Sequence, residues 1–191
     1  GISAELVKYC GFPMAQTLAA LFSKFIQFGL VPSCWREVKI IPIPKVQGSR
    51  DIADYRPISL TEVLRKLFER CILEELKRFI EPLDLAQGGF RRNRGTIETI
   101  ASLQETILQF ERKNKRQPII LFLDIKAAYD SVDHDLLLLR LKERKCPEPY
   151  IRITEQLMCG ITSRVYVDSK ESVPFLHEAG VLQGSIISPM L

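Results

Sequence analysis

The sequence predicts an α/β chain, and three observations carry that reading. An apolar run from Ile119 to Leu123, opened by Pro118 and closed by Asp124, has the length and boundaries of a buried strand. β-Branched residues dominate Val38 to Lys45, and Tyr55 to Leu60 returns as a second strand after a polar loop with Gly48. Around these, apolar residues recur at helical spacing over 4–29, 61–80 and 96–111.

In chain order, Leu6, Val7, Leu18, Leu21, Phe22, Phe25 and Ile26 mark two helices that Pro13 should separate, with Gly29 as a C-cap. Pro42 and Pro44 restrict the first strand to a sheet edge, because proline donates nothing to a ladder. Leu64, Leu67, Phe68, Cys71, Ile72, Leu76, Phe79 and Ile80 share one face of the next helix. Ser59 and Glu62 fit a capping box at its start, and Pro82 ends it. Thr96 then caps a helix to about Glu111 with Ile97, Ile100, Leu103, Ile107, Leu108 and Phe110 inward, followed by a turn with four cations, Arg112, Lys113, Lys115 and Arg116. Beyond the 119–125 strand, Asp133 or Asp135 opens a helix ending before Pro147. Pro149 to Met158 forms another, and Ser163 to Val167 pairs with Ser172 to His177 across a turn at Asp168 to Lys170.

Composition excludes several classes of protein. A chain of 191 residues, 46% hydrophobic and 26% charged, has enough length and apolar content for a real core. A formal charge of +4 permits a nucleic-acid partner without requiring one. Five scattered cysteines, odd in number and never in CxxC spacing, argue against a disulfide framework or a zinc site and point to a reducing, intracellular setting. No apolar run approaches the roughly 20 residues that cross a bilayer, so no membrane partner is expected. The chain opens on Gly1-Ile2 and closes on Pro189-Met190-Leu191 within an apolar stretch, which reads as a piece of a longer polypeptide.

Taken singly, the chemistry-bearing residues do not decide a function. Asp124 at a strand exit is placed to hold a cation, yet a lone aspartate there reads as readily as a helix cap or a lysine's partner. Lys45 and Arg56 on the hairpin make either a phosphate clamp or an ordinary solvated loop, and by themselves they favour the loop. Arg91, Arg92 and Arg94 among Gly88, Gly89 and Gly95 make a cationic loop able to approach a phosphate backbone, a composition that surface loops also share.

The order of the blocks is far more specific. Trp35 to Lys45, Arg56-Pro57-Ile58-Ser59-Leu60, Gln87-Gly88-Gly89-Phe90-Arg91, Phe122-Leu123-Asp124-Ile125-Lys126-Ala127-Ala128-Tyr129-Asp130 and Gly180-Val181-Leu182-Gln183-Gly184-Ser185-Ile186-Ile187-Ser188-Pro189 follow one another over essentially the whole chain. In this the chain resembles the reverse transcriptase domain of LINE-type (non-LTR) retrotransposons. The Arg-Pro-Ile-Ser-Leu and Gln-Gly-Gly-Phe-Arg wording sets it apart from group II intron and other cellular reverse transcriptases.

The resemblance implies a right-hand polymerase fold reduced to fingers and a truncated palm. Residues 1–118 would be helical fingers with a basic hairpin at about 38–60, residues 119–191 an incomplete palm, and the thumb would be absent. It implies RNA-directed DNA synthesis with two Mg²⁺ ions in the complete enzyme, Asp124 as a catalytic, metal-binding carboxylate and the Ile125 carbonyl as a further ligand. Lys45 and Arg56 would grip the incoming triphosphate. Ala128 and Tyr129 would border the nucleotide, with Tyr129 excluding a 2′-hydroxyl, although a core tyrosine fits the same position. Gln183 and Gly184 would line the nucleotide and template pocket, and Arg91, Arg92 and Arg94 would contact template. Implied partners are an RNA template, a DNA primer or target, deoxynucleoside triphosphates and a ribonucleoprotein with the element's own transcript, in the nucleus for integration and the cytoplasm for particle assembly.

The chain departs from the family at one point. The Tyr/Phe-x-Asp-Asp hairpin that brings the second metal-binding aspartate does not occur in it and is expected beyond residue 191. The 191-residue chain alone is therefore expected to be inactive, with the 119–125 strand short of a neighbour and poorly soluble. The alternative function is a non-catalytic retroelement remnant or RNA-binding fragment.

Overall fold

In a computed structural model, which describes residues 2–80, 84–91 and 93–191, helices cover a mixed sheet. The chain divides into two compact units. One comprises Gly1–Ile80, Ala127–Pro189 and Leu191, the other Glu81–Lys126 and Met190.

In the first unit, Ser3 caps α1 (Ala4–Tyr9) by accepting the Leu6 N–H, and α2 (Gly11–Phe28) follows directly. The break falls at Cys10 rather than at Pro13, which sits in the first turn of α2, where a missing N–H costs no helical bond. Gly29 does end α2. At φ 66° it donates to the Ile26 carbonyl while Leu30 donates to Phe25, the paired bonds of a Schellman cap.

β1 (Glu37–Pro44) and β2 (Tyr55–Leu60) form the antiparallel hairpin. β1 is not an edge strand, however, because its first half pairs in parallel with β3 (Thr162–Val167), giving the order β2-β1-β3-β4. The prolines are accommodated because the parallel ladder covers only Glu37 to Ile40 and stops before Pro42. Pro42 also faces Pro57 in register, a position where neither residue is asked for an N–H. β4 (Lys170–Glu171) follows a two-residue turn with Asp168 and Ser169 both at positive φ, the hairpin geometry that matches strand twist, and β5 (Phe175–Leu176) closes on β3.

α3 (Val63–Leu76) starts from Glu62, whose side chain makes no cap, while Ser59 belongs to β2, so the capping box does not form. The expected stop at Pro82 lies outside the described residues. α3 buries Phe68 and Ile72, and Phe68 is the hub of an aromatic cluster with ring centroids 5.1 Å from Phe22, 5.8 Å from Phe25 and 5.5 Å from Trp35. α5 (His134–Glu143) is capped by Asp133, which accepts the Leu136 N–H at 2.8 Å, and α6 (Glu148–Met158) buries Ile151, Ile153 and Leu157.

The second unit holds α4 (Thr96–Asn114). Its N-cap is Gly95, one residue before Thr96, and Glu98 reaches back to accept the Gly95 N–H at 2.7 Å. None of its residues is buried: of the face expected to point inward, Ile97, Ile100, Leu103 and Leu108 are exposed, and Ile107 and Phe110 are half-buried. Residues 117–125 form no strand either, and Ile119, Leu121, Phe122 and Leu123 are exposed. The physical reason is the ladder. A strand is stable only when neighbouring backbone takes up its N–H and C=O groups, and no described segment pairs with this one.

Candidate functional site

The best-built part of the candidate site lies in the first unit, where three stretches distant in sequence meet. Residues 127–131 form a turn in which Ala127 adopts φ 53° and its carbonyl accepts the Asp130 and Ser131 N–H groups. Ala128 is exposed on this turn and Tyr129 half-buried. The Tyr129 carbonyl accepts the Val181 N–H at 2.7 Å, and Gly180 donates to the Val132 carbonyl at 2.8 Å. Gly180 is required for that approach: at φ +87° a Cβ would lie 2.9 Å from the Asp130 Cα and 3.0 Å from the Tyr129 oxygen.

The same segment continues onto the sheet. Ser59 stands opposite Ile40, and the alternation set by the Pro42–Pro57 pair turns its N–H away from β1. The Gln183 carbonyl accepts that N–H at 2.8 Å, so the 181–184 backbone runs along the outer side of β2. Gly184, at φ +140°, rides directly on the Ser59 carbonyl, inside the distance any Cβ would need. Tyr129, Gln183, Gly184 and the Arg56-to-Leu60 strand are thus one continuous hydrogen-bonded assembly. A cleft beside it is lined by Pro57, Ser59, Asp130, His177, Gly180 and Gln183. Burial pushes the His177 imidazole below its ordinary pKa, with Asp130 opposing and His134 assisting, and His177 Nε2 lies 2.7 Å from the Ser163 hydroxyl.

Lys45 and Arg56 both sit exposed on the hairpin. Arg56 pairs with Ile43, and the Lys45 N–H bonds the Asp54 carbonyl at 2.6 Å, so the two cations are diagonal neighbours on one face. Lys45 Nζ also donates to the Ala53 carbonyl at 2.9 Å, which tethers its stem over the loop.

In the second unit, Asp124 and Ile125 lie on the exposed 117–125 segment rather than at a strand exit. No group of three or more His, Cys, Asp or Glu side chains able to hold a metal ion forms among the described residues. Arg91 donates through Nη1 to the carbonyls of Asp84 at 2.8 Å and Gln87 at 3.4 Å, so it shapes its own loop, whereas Arg94 is exposed and Arg92 lies outside the described residues. All five cysteines are free thiols, and no described helix is long and apolar enough to cross a membrane.

Two residues of this neighbourhood escape the sequence reading: Arg65 and Glu69 of α3, buried to 1% and 0% exposure. Glu69 accepts from the Ser185 hydroxyl and the Ile186 backbone N–H just past Gly184. Their signal was present, since 65 and 69 fall in phase with Phe68, Ile72 and Leu76 on the apolar stripe.

Comparison with known proteins gives a consistent picture. Residues 43–191 match the family described as reverse transcriptase (RNA-dependent DNA polymerase). The chain is 34% identical over 92% of its length to the RNA-directed DNA polymerase from mobile element jockey of Drosophila melanogaster, covering 19% of that protein. It is 31% identical over 91% of its length to the probable RNA-directed DNA polymerase from transposon BS of the same organism, again covering 19%. With the Pol polyprotein of the type-1 retrotransposable element R2 of Nasonia vitripennis it shares 27% identity over 92% of its length and 17% of that protein. The chain therefore spans about a fifth of the length of these relatives.

Proposed function

The chain belongs to the reverse transcriptase (RNA-dependent DNA polymerase) family, and from that premise we propose that it is the nucleotide-binding part of a non-LTR retrotransposon polymerase that copies RNA into DNA. One observation carries the reading. The stretches that match the family at Arg56–Leu60, Ala128–Tyr129 and Gln183–Gly184 are joined through Val181 N–H to the Tyr129 carbonyl and Ser59 N–H to the Gln183 carbonyl.

Each residue then has a task. Lys45 and Arg56, on one face of the hairpin, neutralise the triphosphate, since phosphoryl transfer is governed by positioning and charge. Ala128 and Tyr129 lie beneath the sugar, where the ring collides with a 2′-hydroxyl and so rejects ribonucleotides. The side-chain-free Gly184 lets the base pair approach the backbone beside Gln183. Arg91, Arg92 and Arg94 would supply positive charge to template phosphates. In this reading residues 1–118 are fingers and 119–191 belong to the palm of a right-hand polymerase whose substrates are an RNA template, a DNA primer and deoxynucleoside triphosphates.

Reverse transcriptases use divalent metal ions. The Asp124 carboxylate and Ile125 carbonyl are hard oxygen donors of the kind Mg²⁺ prefers, but Asp124 belongs to no group of three or more His, Cys, Asp or Glu side chains able to hold a metal ion among the described residues. Asp124 is thus a metal ligand in waiting, to be completed by acidic groups from elsewhere in the polymerase. The test is Asp124→Asn in a full-length polymerase carrying this chain, assayed for primer extension on an RNA template and for RNA binding. Extension should be abolished with RNA binding retained, and equal loss of both would make the residue structural.

A further inference from the structure

Arg65 and Glu69 form the most deeply buried ion pair among the described residues, and the geometry shows what each end of it holds. The Arg65 guanidinium spends its donors in three directions: Nε on Glu69 Oε1 at 2.8 Å, Nη1 on the Trp35 carbonyl, and Nη2 on the Leu157 carbonyl at 2.9 Å. With Oε1 so fixed, Glu69 turns Oε2 outward from α3, where it accepts the Ser185 hydroxyl at 2.9 Å and the Ile186 N–H at 2.6 Å. Burial of such a pair gives little net stability, because desolvation offsets the attraction and apolar replacements of similar volume are commonly tolerated. An apolar side chain at 69 could not, however, accept from the Ser185 hydroxyl or from the Ile186 backbone N–H.

That backbone is the downstream end of the Gln183–Gly184 turn, which closes through Ser185 N–H to the Leu182 carbonyl at 3.3 Å. The upstream end is held by Ser59. We propose that Glu69, oriented by Arg65, is a positioning residue for nucleotide binding: it anchors the 182–186 turn so that Gln183 and Gly184 present their backbone to the incoming nucleotide. The inference rests on the reading of that turn as a wall of the nucleotide pocket.

The test uses full-length polymerase carrying this chain, with Glu69→Ala, Glu69→Gln and Ser185→Ala. Readouts are deoxynucleotide KM and kcat, template–primer Kd, and amide exchange. Glu69→Ala should raise deoxynucleotide KM about tenfold or more, the size expected for loss of a charge-assisted hydrogen bond, with template–primer Kd unchanged. Glu69→Gln, which keeps one acceptor oxygen, should recover part of it. Ser185→Ala removes one hydroxyl and leaves the ion pair, so it should fold and shift KM the same way by less, even where Glu69→Ala does not fold. Exchange should accelerate at Ser185 to Ile187 and stay slow in α3 and α6. Unchanged exchange at Ile186 would overturn Glu69 as the anchor, and acceleration throughout α3 and α6 would reduce the pair to a structural one. Local acceleration with unchanged KM would instead remove the turn from the nucleotide pocket, and the role in binding with it.

Discussion

Gly184→Ala tests the seat of the Gln183–Gly184 turn on β2. The new Cβ would overlap the Ser59 carbonyl oxygen and lie 3.3 Å from its carbon, at a φ of +140° that L residues rarely adopt. Ser59 cannot step aside, because the obstacle is strand backbone rather than a flexible side chain. Relief requires lifting the turn off β2, which breaks the 2.8 Å bond from Ser59 N–H to the Gln183 carbonyl, a loss of about 1 kcal/mol. Backbone strain and residual overlap add roughly 1–3 kcal/mol, for a total of about 2–4 kcal/mol. Gly48→Ala is the matched reference, since Gly48 also has positive φ, +81°, but nothing within 4 Å of its Cβ position. That variant should lose only the strain, about 1 kcal/mol. Urea unfolding of both measures the difference, and amide exchange at Ser59 should accelerate in Gly184→Ala alone. Coincident unfolding midpoints for the two variants would refute the close approach of the turn to β2.

Two further predictions concern stability. Phe68, fully buried among Phe22, Phe25 and Trp35, should cost about 3–5 kcal/mol when cut to alanine, read as a lower urea midpoint. His177 has its pKa lowered in the folded chain, chiefly by burial, so the unfolded chain binds more protons and stability rises with pH. That contribution is complete above the unfolded value of about 6.5 and is lost as pH falls from there through the folded value, so thermal midpoints should drop on acidification and His177→Gln should flatten the drop. An unaltered pH profile in that variant would contradict the assignment.

Much of the first unit was legible in its residues because the signals are local. The α2 cap at Gly29, the β1–β2 hairpin and the turn at Asp168–Ser169 follow from glycine, proline and alternation rules that act within a few residues. What was hidden is long-range. Pro42 and Pro44 argue for an edge strand, yet the β3 ladder that makes β1 internal joins residues more than a hundred positions apart and stops short of both prolines. The run Ile119–Leu123 has the composition of a buried strand, but composition cannot supply the neighbour that a ladder needs, and the segment stays exposed. Arg65 and Glu69 are disguised by their charge, since charged residues on a helix are usually outside, although their phase places them on the buried face. Of the candidate site, block order pointed to Tyr129, Gln183 and Gly184, while the bonds that join them to β2 became visible only in three dimensions.

In the proposed pocket the Tyr129 turn, braced by Val181, is the floor that contacts the sugar of the deoxynucleotide. The most direct test of that contact is the ratio of deoxynucleotide to ribonucleotide incorporation on an RNA template by full-length polymerase carrying this chain with Tyr129→Val. Ribonucleotides should be accepted far more readily while deoxynucleotide incorporation persists. Discrimination unchanged from that of the parent enzyme would contradict the contact.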